Sequence, residues 1–177
     1  MAHRGQTPRD FWSGIRPQLA EAFGNLCGYS AMLDLSGTVD HYLSKQSHPE
    51  LAYEWANYRY CSQWINSSKS CLDESVLDPY EVEDGWFEIL LPSLQLVASD
   101  AIPAEQRARA EFTLDRLHLR DDERVVRQRQ VWYAFYLNGK LTLDMLDAFA
   151  PLIARAIRKQ QEHGESNEGE CVAGDGL

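Results

Sequence analysis

The sequence predicts an α+β fold, with a small strand–strand–helix unit in the first half of the chain set in a mainly helical surround. Three observations predict it. Two short extended runs, Thr38-Val39-Asp40-His41 and Asn57 to Cys61, are separated by a polar stretch, and a helix-forming segment, Ser62 to Lys69, follows them. Apolar residues then recur at helical spacing over most of the second half. A length of 177 residues at 44% hydrophobic composition, with five Trp, eight Tyr and six Phe, suits one compact domain with a sizeable core.

The elements follow in order. Phe11, Trp12, Ile15, Leu19, Ala22 and Phe23 make one face of an amphipathic helix, which Gly24-Asn25 stops. Ser36-Gly37 is a turn into the first strand. Tyr58 and Tyr60 alternate along the second strand, and Val76-Leu77-Asp78-Pro79 is a turn-forming exit. Trp86 to Val97 has β character, with Phe87, Ile89, Leu90 and Leu91 ahead of Pro92. Pro103 to Leu119 reads as a helix with Phe112, Leu114 and Leu117 buried. Asp121 and Asp122 offer an N-cap to a helix carrying Val125, Val126, Trp132, Phe135 and Tyr136, which Asn138-Gly139 ends. Leu143, Leu146, Phe149, Ile153 and Ile157 stripe a last helix with a kink at Pro151. From Gln160 the chain is Glu- and Gly-rich and reads as an unstructured tail. The expected division is an N-terminal helix over 1–25, a core over 26–79, a helical region packed on it over 80–159, and an acidic tail over 160–177.

The net charge is −10, and the tail supplies half of it, with five acidic residues and no Lys or Arg. A partner bearing phosphates would therefore need a local basic patch. Arg107, Arg109, Arg124, Arg127 and Arg129 are candidates for one; pairing with Glu105, Glu111, Asp121 and Glu123 on a solvated helix face accounts for them equally well. No stretch approaches a membrane span, and no charged-then-apolar leader precedes residue 20, so the expectation is a soluble, cytoplasmic protein without membrane contact. The cysteines, at 27, 61, 71 and 171, form no Cys-x-x-Cys pair, which argues against a zinc ribbon and against disulfides.

The chemistry-bearing residues cluster around the strand–strand–helix unit. Asp40-His41 ends the first strand. Asn57 lies 16 positions on, Asn66 a further 9, and Lys69 one helical turn later. An Asp-His pair alone is weak evidence, since a surface turn or a hydrogen-bonded core histidine would look the same. Its company is more specific. Cys27-Gly28-Tyr29-Ser30 precedes the first strand, and Gly37 to Tyr42, Ser44-Lys45, Pro49 to Trp55 with Asn57, Leu77-Asp78-Pro79 and Phe112 to Leu119 flank or follow the unit. Together these stretches resemble the HNH (ββα-metal) endonucleases. They are most similar to the subgroup that includes the nuclease subunit of Septu and retron-associated anti-phage systems. The similarity runs from Trp12 to Arg129 and is strongest from Val39 to Lys69.

The resemblance implies a ββα-metal core and a metal-dependent endonuclease that hydrolyses phosphodiester bonds in DNA, in bacterial anti-phage defence, beside an ATPase partner. It implies that Asp40 and Asn66 hold Mg²⁺, with Mn²⁺ able to substitute. His41, on the opposite side of the strand from Asp40, would be the general base. Asn57 would hold the His41 loop and orient the imidazole. Lys45 and Lys69 would contact phosphate. The subgroup brackets its core with two Cys-x-x-Cys pairs that bind zinc. Here those positions are Cys27, Ser30, Ser62 and Ile65, so structural zinc is not expected, and packing by Tyr29, Trp64 and Ile65 would take its place. Two other functions compete. One is a catalytically inactive HNH-like subunit that binds nucleic acid or protein. The other is an antibacterial toxin nuclease.

Overall fold

The computed structural model describes residues 8–170, with side chains as far as residue 163. A 3-10 turn over Trp12–Ile15 leads into α1 (Arg16–Ala22). β1 (Thr38–His41) and β2 (Tyr58–Cys61) pair antiparallel, with Asp40 opposite Arg59 and His41 opposite Tyr58. α2 (Gln63–Lys69) follows β2 directly and packs on β1. A second hairpin, β3 (Phe87–Leu90) with β4 (Gln95–Ala98), opens the second half. Four helices complete the described residues: α3 (Ala104–Arg116), α4 (Glu123–Leu137), α5 (Leu143–Phe149) and α6 (Pro151–Glu170). The α+β class read from the sequence is therefore present, as two small two-stranded sheets among helices.

The period-2 geometry of the first hairpin sorts its residues between two cores. Val39, Tyr58 and Tyr60 join Trp12, Leu19, Ala20 and Ala52 on the α1 side. Cys61 joins Cys27, Tyr29, Met32 and Ile65 in the larger core, which runs on into Leu96, Leu114, Leu117, Val125, Leu146 and Ile153. Gly37, just before β1, is required by close approach: a Cβ there would lie 2.5 Å from the Tyr60 ring, and the Gly37 N–H donates to the Tyr60 hydroxyl at 3.0 Å.

Several expected elements are corrected. The β stretch from Trp86 is two strands joined by a turn at Leu91 to Leu94, closed by Leu94 N–H to the Leu90 carbonyl at 2.7 Å. Pro92 cannot donate within a ladder, so the chain turns back there. The last helix is not kinked at Pro151 but broken. Ala150 leaves the helical region (φ −154°, ψ 68°) and Pro151 begins a new helix, as expected of a residue that restricts its predecessor and suits a helix start. α6 continues past Gln160 to Glu170; Gln160, Gln161 and Glu162 are good helix formers that extend a helix already nucleated. The end of the expected tail, 171–177, lies outside the described residues. Phe112 is 42% exposed, whereas Leu114 and Leu117 are fully buried, because its position on α3 turns outward from theirs. The Asp122 N-cap is present, its carboxylate accepting from Arg124 N–H at 2.9 Å.

Arg129 is not on a basic face. It is 1% exposed, and its guanidinium donates to the carbonyls of Leu94 (2.9 Å), Arg120 (3.1 Å) and Leu119 (2.7 Å). Burial lowers its pKa to about 10, still cationic at neutral pH. It thereby ties the β3–β4 turn and the α3–α4 connection to α4. Arg129→Met keeps the aliphatic volume and removes the guanidinium donor from three carbonyls, of which the Arg120 carbonyl keeps the Leu96 N–H at 3.0 Å; each carbonyl left bare costs about 1–3 kcal/mol. The variant is expected to lose about 3–5 kcal/mol of stability, read as a lowered urea midpoint at unchanged m.

Candidate active site

Asp40 and His41 are neighbours in sequence that enter different environments. The Asp40 side chain is 2% exposed. Its Oδ2 accepts from the Tyr29 hydroxyl at 2.8 Å, and its Oδ1 from Lys69 Nζ at 3.2 Å. Burial pushes its carboxyl above the ordinary carboxylate value, and the Lys69 charge and the Tyr29 hydroxyl oppose that push. Burial and the Asp40 charge hold the Tyr29 hydroxyl well above its usual pKa, so it remains a donor.

Lys69 is fully buried, which corrects its expected contact with phosphate. An ammonium has three N–H donors. All three have internal acceptors: Asp40 Oδ1, the His41 carbonyl at 2.9 Å and the Tyr42 carbonyl at 2.9 Å. Nothing remains for a ligand, and Lys69 is a structural cation that docks the end of α2 onto the end of β1.

His41 lies on the α1 side. Its Nε2 is 2.9 Å from the Ala52 carbonyl, which can only accept, so Nε2 carries the proton and Nδ1 is the basic atom of the neutral ring. The imidazole meets Trp12 edge to face, with centroids 4.6 Å apart, and Tyr58 likewise at 5.2 Å. Desolvation lowers its pKa below 6.5, so the ring is neutral at neutral pH and free to take a proton.

Asn57 sits at the far end of the loop between the strands. Its Oδ1 accepts from Leu43 N–H at 2.8 Å, and its Nδ2 donates to the carbonyls of Leu43 (2.9 Å) and Leu51 (3.2 Å). Leu51 adjoins Ala52, so Asn57 fixes the segment whose carbonyl holds His41. Asn66 is one turn before Lys69 on α2. Its Nδ2 is 3.4 Å from the Val39 carbonyl, which leaves Oδ1 as its acceptor atom. Asp40, His41, Asn66 and Lys45 border one open cleft of about 330 Å³, with Asp10, Trp12, Ser44, Gln46 and Cys71 among its other lining residues. Lys45 Nζ stands 4.2 Å from the Trp12 ring centroid.

A hard divalent cation suits the donors that meet here. A carboxylate offers about four lone-pair directions, and Asp40 has two of them engaged. Among the described residues no three His, Cys, Asp or Glu side chains gather to hold a metal, so any ion would rest on Asp40, the Asn66 amide oxygen, water and substrate. The thiols are arranged otherwise. Cys27 and Cys61 are buried in the larger core, and burial pushes the Cys61 thiol well above its ordinary pKa. Cys71 is exposed at the cleft, its thiol 3.1 Å from Gln46 Oε1. The turn at Cys27 is held by Ala31 N–H to the Cys27 carbonyl at 2.8 Å and by Ser62 N–H to Cys27 Sγ at 3.4 Å. Ser62 Oγ donates to Asp34 Oδ2 at 2.5 Å, and Ile65 is fully buried beneath.

The expected basic residues are mostly paired. Arg107 donates to the Ser99 carbonyl, Arg109 to the Val76 carbonyl and to the Tyr42 hydroxyl, and Arg124 to Asp122 while stacking over Trp64. Sequence reasoning missed the partners Tyr29, Trp12 and the Ala52 carbonyl, and the buried Arg59–Asp78 ion pair packed between Tyr42 and Tyr80. The Cys27-Gly28-Tyr29-Ser30 stretch pointed to Tyr29 only as packing.

Lys69→Met removes the counter-ion of a buried carboxylate and is expected to cost about 3–5 kcal/mol, with the salt dependence of nucleic-acid binding unchanged. Urea unfolding and binding titrations at several ionic strengths check both. The lowered His41 pKa also fixes a sign. Between that value and 6.5 the unfolded chain binds more protons than the folded one, so His41 favours folding fully above 6.5 and ceases to as pH falls through the lowered value. Wild type should therefore lose stability relative to His41→Asn on acidification through that window.

No family model matches the sequence, and no curated protein is significantly similar to it.

Proposed function

We propose that this chain is a metal-dependent endonuclease of the HNH type, which hydrolyses phosphodiester bonds in DNA and serves in anti-phage defence beside an ATPase partner. The observation that carries the proposal is the meeting of Asp40, His41 and Asn66 at one cleft. The strand, strand and helix order of the sequence resemblance supports it, since these residues reach the cleft from β1 and α2.

The chain's own residues divide the work. His41, neutral and held by Ala52, accepts a proton at Nδ1 from the attacking water. Asn57 positions His41 by fixing the loop that presents Ala52. Lys45 contacts phosphate at the cleft. Asp40 and the Asn66 amide would hold Mg²⁺, which supplies charge neutralisation at the phosphate and at the leaving oxygen. Lys69 and Tyr29 hold Asp40 in place.

One observation favours a second reading, a non-catalytic HNH-like subunit. Both Asp40 oxygens already have donors, and Lys45 is the only Lys or Arg among the described residues that line the cleft. The two readings differ in their response to a single substitution. His41→Ala is expected to lower plasmid nicking in Mg²⁺ by about 10²–10⁴-fold at a temperature where the variant is still folded, with DNA binding little changed and the melting temperature lowered by the lost packing against Trp12 and Tyr58, and EDTA is expected to abolish wild-type nicking. A folded wild type inert with Mg²⁺ and Mn²⁺, with the ATPase supplied, would establish the non-catalytic reading. Cleavage by the variant at the wild-type rate would remove His41 from the mechanism.

A further inference from the structure

We infer that Trp12, from a segment outside the strand–strand–helix unit, is the positioning residue that fixes both His41 and Lys45; the inference rests on the endonuclease reading above. Among the described residues the His41 imidazole has one hydrogen bond, from Nε2 to the Ala52 carbonyl. A single bond at one atom leaves the ring free to rotate about that contact, so a second constraint must set the direction of Nδ1. Two rings supply it. Tyr58 is the cross-strand partner of His41, and its own hydroxyl donates to the same Ala52 carbonyl at 2.7 Å. Trp12 closes the other approach, at 4.6 Å and nearly perpendicular. Rotation of the imidazole would drive it into one ring or the other.

The same indole carries Lys45. The ammonium lies 4.2 Å from the ring centroid, so the proposed base and the proposed phosphate contact are referred to one rigid plane. Trp12 is itself 8% exposed and well anchored. Asp10 caps the turn before it, accepting from Ser13 N–H at 3.0 Å and Ser13 Oγ at 2.7 Å. Tyr53, from the loop between β1 and β2, donates its hydroxyl to the Arg9 carbonyl at 3.0 Å, and its ring centroid is 6.0 Å from those of Phe11 and Trp12. The strap 9–13 is thus fastened to the loop that presents Ala52, and it forms one wall of the cleft.

The test compares wild type with Trp12→Phe and Trp12→Leu in the full chain, with two independent readouts. The first is the position of the His41 imidazole C–H resonances, assigned by their loss in His41→Asn. The indole ring current displaces them in wild type; they are expected to move in the Leu variant and to move less in the Phe variant. The second is nicking kinetics in Mg²⁺. Trp12→Leu is expected to lower kcat by about 10–100-fold, as misplaced catalytic groups do, and also to raise KM through Lys45, with the Phe variant recovering part of both. A folded Leu variant with wild-type kcat and unmoved His41 resonances overturns the inference, and so does an effect confined to KM. Should the Leu variant fail to fold, the Phe variant decides by the same two readouts. An inert wild type sinks the endonuclease reading instead, while the resonances still test the contact.

Discussion

The buried ammonium of Lys69 is the constraint on which the candidate site depends. It takes a charge fully out of water, a cost of several kcal/mol that only complete pairing offsets. Pairing is complete: one carboxylate and two carbonyls accept its three protons. Because two of those acceptors are main-chain atoms of His41 and Tyr42, the last residue of α2 can dock at one place only along β1. That docking also sets Asn66, one turn earlier, beside Val39. Ser70 then leaves the helix with φ at +50°, so the chain turns away as soon as the contact is made.

A second layer of helices stabilises the geometry without touching the chemistry. The stretch from Cys27 to Leu33 that brings Tyr29 to Asp40 is clamped from behind. Leu33 N–H donates to the Phe149 carbonyl at 2.8 Å, and Gln128 Nε2 donates to the Leu33 carbonyl at 2.9 Å. Arg129, on the same helix, holds the β3–β4 turn by its carbonyl. Rigid support of this kind is what a site needs if its groups are to keep their relative positions. On the opposite side, α1 and the strap before it cover the His41 face. The hairpin is thus held between a thin N-terminal layer and a thick C-terminal one.

Much of this was legible in the sequence where local rules decide. Thr38–His41, the strand ending at Cys61 and the short helix to Lys69 follow from alternation and spacing, and Asp122 announced its cap. What was not legible depends on contacts across many residues. The phosphate contact expected of Lys69 came with the resemblance, and no local pattern marks that lysine for burial; its acceptors lie 27 to 29 residues away. Arg129 misled for the same reason. Phe112 misled because hydrophobicity marks a candidate for burial and does not fix which way a helix faces. Trp12 was counted as core, which it is, but no pattern within the first helix could disclose that it meets His41.

The base of the core has a property of its own. Ser62 bonds Asp34 through its hydroxyl and Cys27 Sγ through its N–H, and Ile65 packs with Cys27 in the same core. Peroxide does not oxidise a hydroxyl–carboxylate contact. The two nearby thiols are shut away from solvent. The contacts under Asp40 and Tyr29 are therefore shielded from oxidants in the surrounding solvent.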